Sequence, residues 1–161
     1  MVDSIKRNTK LYISSEDVTD ELNQTEFEAL TWVEIGRVIG EPEFGIATNM
    51  VDLPYITTNV QKKAKGLSTA STSEISVGVD HDDLGQIELL EAGATAYLFG
   101  RGFKLESNDK LDATGTNTTR YSYGKVAGPN FNGGEAEERD IDTYSIALEQ
   151  EPVIVAATAG A

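Results

Sequence analysis

Glu74-Ile75-Ser76-Val77-Gly78-Val79-Asp80, with its continuation His81-Asp82-Asp83-Leu84-Gly85-Gln86-Ile87-Glu88-Leu89-Leu90-Glu91-Ala92-Gly93-Ala94, decides the fold, because the hydrophobic period changes from two to about three and a half between the two parts. The first part alternates polar and apolar residues, as a strand with one buried face does. Asp80, Asp82 and Asp83 then supply carboxylates for the free N–H groups of a helix start, and Leu84, Ile87 and Leu90 recur every three residues along one helical face. Asp83 and Gln86 have capping-box spacing, and Gly93 suits the left-handed position that ends a helix. These signals predict a strand feeding a short helix over about residues 82–92, capped through Asp82, Asp83 and Gln86.

Outward from this point, a chain of 161 residues with 39% hydrophobic content reads as a single domain over 1–161, with 1–9 and 156–161 expected to be flexible termini. It has no cysteine, which excludes disulfides and thiolate metal sites. Its N-terminus lacks the apolar run of a signal peptide, and no stretch approaches the roughly 18 apolar residues of a membrane-spanning helix. A net charge of −14, from 27 acids and 13 bases, argues against a protein that grips nucleic acid, which needs clustered Lys and Arg. The basic cluster is Lys62, Lys63 and Lys65. It reads either as a solvated loop tip or as a contact with an acidic neighbouring surface.

Further strands are expected at Lys10 to Ser14, Thr31 to Ile39, Thr95 to Leu105, Thr119 to Val126 and Ile141 to Leu148, with a short turn or helix opening at Thr25. In Thr31 to Ile39, Arg37 falls on the apolar face beside Ile35, which points to an edge, an interface or a shift of register. Residues 41–73 hold Pro42, Gly45, Pro54, Gly66 and a Ser/Thr-rich tail. So long a connection inside a compact domain reads as a functional or partner-ordered segment, part of which, Met50 to Thr58, could pair as a hairpin arm, or else as a merely flexible loop. About seven strands and one clear helix give a mainly β fold, a β-sandwich or half-barrel with one flanking helix.

Chemical motifs are sparse. Asp80 to Glu91 places Asp at loop positions one and three, Gly at six and Glu at twelve, as a calcium loop does. Leu84 at position five and the strand-like lead-in depart from that pattern and favour an acid-rich helix cap. His81 is the only histidine, and no nucleophile motif or phosphate-cradling glycine loop is present. Paired acids such as Glu137-Glu138 read as solvated surface. The sequence therefore predicts no enzyme, no metal and no cofactor.

The order strand, long Gly/Pro/Thr loop, alternating strand, Asp-Asp-Leu-Gly-Gln helix, hairpins and a late Phe131-Asn132-Gly133-Gly134-Glu135 turn resembles the major tail tube proteins of long-tailed (siphovirus-type) bacteriophages. Val79-Asp80-His81-Asp82-Asp83-Leu84-Gly85-Gln86 is similar to that family's passage into its single helix, and the likeness covers roughly residues 10–155. The resemblance implies a fold shared with contractile-tail tubes and type VI secretion tube proteins. It implies copies of this chain in six-membered rings stacked into a virion tail tube, with tail tip, tape measure and tail terminator proteins as partners and DNA passing through the lumen without specific binding. An acidic lumen would repel phosphate, and ring closure would bury sheet edges. Alternation nominates Glu74, Asp80 and Glu149 as lumen-facing acids, and the long 41–73 segment, which could reach an adjacent subunit or ring, makes its basic cluster Lys62, Lys63 and Lys65 the candidates for an inter-subunit contact. The alternative is an all-β binding or adhesin module, calcium-dependent through Asp80, Asp82 and Glu91.

Overall fold

The computed structural model describes residues 5–40, 42–57 and 59–160. Its elements in chain order are β1 (Ile5–Val18), α1 (Gln24–Glu28), β2 (Trp32–Ile35), β3 (Val38–Gly40), β4 (Ile46–Leu53), β5 (Lys62–Ala70), β6 (Thr72–Gly78), α2 (Leu84–Gly93), β7 (Gly100–Asn108), β8 (Thr119–Phe131), β9 (Ile141–Leu148) and β10 (Val153–Val155). The chain is mainly β, as expected. The strands form one eight-stranded antiparallel sheet in the order β2-β1-β7-β8-β9-β6-β3, with β10 also on β8, and a separate pair, β4-β5.

The expected single strand from Thr31 to Ile39 is broken in two at Gly36 and Arg37, where Arg37 takes a left-handed φ of 56°. Its halves part company: β2 pairs with β1, and β3 pairs with β6 at the opposite end of the sheet order. Ile35 and Val38 are three residues apart, so their Cα atoms lie within about 11 Å. A sheet whose two ends are joined by so short a link must curl round until they meet. The half-barrel expectation is thus met by a single curled sheet, not by two stacked ones.

One face of that sheet holds the core. Leu11 and Ile13 of β1, Phe103 and Leu105 of β7, Val126 of β8, Tyr144, Ile146 and Leu148 of β9, and Ile75 and Val77 of β6 are buried together with Leu89 and Ala92 of α2. Each fully buried Leu, Ile or Phe contributes about 1.5–3 kcal/mol. On the other face, α1 lays Phe27 in a stack on Tyr121 with ring centroids 5.4 Å apart, and the Trp32 indole donates to the Phe27 carbonyl. The cap of α1 is Asn23, whose side chain accepts from the Glu26 N–H and donates to the Glu26 carboxylate. The helix thus opens at Gln24 behind an Asn23 cap, beside the expected opening at Thr25.

β7 begins at Gly100, five residues later than expected, leaving Leu98 and Phe99 exposed while Phe103 enters the core and Tyr97 packs against it. After β9 the chain breaks and β10 continues alongside β8. Beyond it, Thr158 bridges Thr116 and Gly160 N–H donates to Asp112, so the tail lies against the loop between β7 and β8. In that loop the Thr118 N–H and hydroxyl both donate to Asp109 and hold its carboxyl below the usual range.

Candidate functional site

The acid-rich passage into α2 is a junction of three segments. Asp83 caps the helix by accepting from the Gln86 N–H at 3.0 Å, and the same carboxylate accepts from the Gly36 N–H at 3.0 Å. Gln86 does not complete a capping box. Its buried amide spans the junction, donating to the carbonyls of Gly36 and Gly78 and accepting from the Asp80 N–H. Helix, β2–β3 link and the end of β6 are thereby tied through one side chain. Gly85 lets the helix sit on β2, since a Cβ there would come 2.3 Å from the Glu34 carbonyl oxygen. Gly93 plays the same part at the other end, against Gly128, and does not take the left-handed position expected of it. Asp82, expected in the cap, is exposed and donates its N–H to the Asp80 carboxylate.

The far end of α2 is pinned by a cation that sequence reasoning passed over. Arg101, 3% exposed, lies 2.6 Å from Glu88, 3.3 Å from Asp17 and 3.5 Å from Glu91. It also donates to the Ser14 carbonyl and the Tyr97 hydroxyl. A single Arg between two glycines carries no recognisable spacing, because its acids come from β1 and α2.

These pairings dissolve the calcium-loop geometry. Asp80 turns to Arg37 at 3.5 Å, Asp83 caps the helix, and Glu91 belongs to Arg101. Among the described residues no group of three or more His, Asp or Glu is placed to hold a metal ion.

Leu84, Ile87 and Leu90 do share one helical face, as expected, but it is not the face that the helix buries. They are 68%, 45% and 53% exposed, while the inward side of α2 is Gly85, Gln86, Leu89, Ala92 and Gly93. Small residues bring the helix close to the sheet and leave its large aliphatic stripe facing out. Beside the stripe, Ile87, Leu90 and Tyr144 share a cleft of about 130 Å³ with Asp80 and Asp142. Burial, and then the Asp142 carboxylate, push the Tyr144 phenol up to about 12, so it stays neutral.

Within the expected loop or hairpin arm of 41–73, β4 and β5 form a hairpin arm. β4 and β5 pair only with each other from Ile46↔Ala70 to Leu53↔Lys62, and their side chains are mostly exposed, including Met50, Val51 and Leu67. The root is held by Ser71, whose hydroxyl donates to the Glu43 carbonyl and accepts from the Gly45 N–H. Lys62, Lys63 and Lys65 line the outer half of β5, with Lys63 3.5 Å from Asp52. Eight residues of strand carry the arm about 27 Å from its root. A lone two-stranded hairpin is marginal in water, and an apolar one more so.

Of the nominated lumen acids, Glu74 is exposed on the non-core face of β6 opposite Ser145, and Glu149, just past β9, meets Lys125 at 3.4 Å. Asp80 stands apart at the foot of α2. Among the described residues no helix is long and apolar enough to cross a membrane.

No protein-family model matches the sequence, and comparison with curated proteins finds no match. Solved structures do share the fold. A chain of the anti-feeding prophage baseplate (6-fold symmetrised) aligns with a TM-score of 0.66 at 8% identity, covering 97% of both chains. One in the sheath/tube terminator of the PVC extracellular contractile injection system aligns at 0.65 and 10% identity, over 97% of this chain and 99% of that one. One in the PVC sheath-tube complex, also in the extended state, aligns at 0.61 and 9% identity, over 96% and 92%. What the chain shares with these components of contractile injection particles is the fold.

Proposed function

We propose that this chain is a structural subunit of a phage-like tail tube, assembling with copies of itself into stacked six-membered rings. The observation that carries this reading is a fold shared end to end with chains of contractile injection particles at TM-scores up to 0.66. The arm supports it: an exposed apolar hairpin gains a second covering surface only from another molecule. The role is mechanical rather than enzymatic. In a virion the tube would conduct DNA, and a chain of net charge −14 offers phosphate no binding groove. Its further partners are the tail tip, tape measure and tail terminator proteins, and its place is the tail of a long-tailed phage particle. The non-core face of β6 and β9, with Glu74 and Glu149, is assigned to the lumen.

Negative-stain microscopy of concentrated protein tests the reading. Hollow tubes or stacked rings are expected. A protein that stays monomeric at every concentration and salt, alone and with tail-tip initiators, overturns it.

A further inference from the structure

The outward stripe of α2 and the β4–β5 arm are two large apolar surfaces of the same chain, and they differ in charge. Residues 79–99 carry Asp80, Asp82, Asp83, Glu88 and Glu91 and no Lys or Arg. The arm over 46–70 carries Lys62, Lys63 and Lys65 against Asp52 alone, a basic limb on a chain of net charge −14. Within one molecule the two lie apart: α2 packs against β8, β2 and β1, and β4 and β5 chiefly against each other.

We propose that the arm of one copy docks on the α2 stripe of the next, an inference that rests on the self-assembly reading above and names its contact surface. Leu84, Ile87 and Leu90 receive the aliphatic groups of the arm, Met50 and Leu67 among them. The arm lysines lie over the acids beside the stripe, of which Asp142 lines the cleft that Ile87 and Leu90 enclose. Each half supplies what the other lacks: apolar area for apolar area, and ammonium groups for Asp82 and Asp142, the acids beside the stripe that are not already turned to Arg37, to Arg101 or to the helix cap. Because the two surfaces differ, the contact is head-to-tail. It propagates through many copies instead of closing a pair, as a ring or stack requires.

The test uses the full chain. Ile87→Glu with Leu90→Glu alters only exposed positions, so melting temperature should hold while the concentration needed for assembly rises by roughly tenfold or more. The cysteine-free sequence supplies a second readout that survives a poorly chosen variant. Single Leu67→Cys and Ile87→Cys proteins should each stay uncrosslinked on oxidation, their mixture should give covalent dimers, and the double variant a ladder of multimers. Assembly of the Ile87→Glu, Leu90→Glu protein at wild-type concentrations overturns the inference while leaving self-assembly standing, as do crosslinks formed by either single cysteine alone. A wild-type protein that never assembles removes the tube reading itself, and this contact with it.

Discussion

The inner side of α2 and the β4–β5 arm are opposites in how their polar and apolar groups are satisfied. At the helix, Asp83 ties the cap to the β2–β3 link, Gln86 and Arg101 each bond to two other segments, and small residues bring the backbones together. At the arm, the strands bond mainly to each other and the aliphatic groups face out. The first region is complete within one chain, so damage there should appear as lost stability. On the proposed self-assembly reading the second is completed by another copy, so damage there should leave the monomer intact and appear in assembly.

That contrast can be broken in order of expected effect. Arg101→Ala leaves Glu88 mostly buried without its cation and should cost about 3–5 kcal/mol in denaturant unfolding; a loss below 1 kcal/mol would show that the pin is dispensable. Gln86→Leu orphans the Gly36 and Gly78 carbonyls and the Asp80 N–H, at about 1–3 kcal/mol for each group that water does not reach. Gly85→Ala forces helix and β2 apart and should lower stability by about 1–3 kcal/mol, read as a drop in melting temperature. On the other side of the comparison, Leu67→Ser should change monomer stability by no more than about 0.5 kcal/mol while weakening assembly, and a large unfolding effect would mean that the arm is part of the core after all. The smallest effect concerns acid. Asp109 has a lowered folded-state pKa, so its contribution is present above the ordinary carboxylate range and lost as pH falls through it. Asp109→Asn should flatten that part of the stability profile, measured by melting temperature between neutral and acid pH.

The strand-to-helix passage was legible because it is local: alternation in β6 and the cap at Asp83 both depend on neighbours within a few residues. Gln86 was the right residue with the wrong partners, since Gly36 lies fifty positions away and nothing in the spacing announces it. The stripe Leu84, Ile87 and Leu90 marked the helix without marking its buried side. Periodic hydrophobicity says that a face will be covered, not whether the same chain covers it. The break at Gly36 and Arg37 was visible only as a misfit, with Arg37 on an apolar face. What resolved it was the pairing of β2 and β3 with strands at opposite ends of the sheet, a long-range fact. Arg101 left no trace, because its cluster gathers residues from three elements.

The two-residue link between β2 and β3 also sets where this chain can tolerate new ends. Most surface turns of a small domain accept circular permutation or a proteolytic nick with little change. Here the link is what keeps the first and last strands of the sheet side by side. Severing it at Gly36–Arg37 would free two short strands to peel away, exposing unpaired backbone along β1 and β6. A permutant opened there should be sticky and poorly folded, whereas one opened in the exposed segment from Glu135 to Glu138 should fold as the parent does.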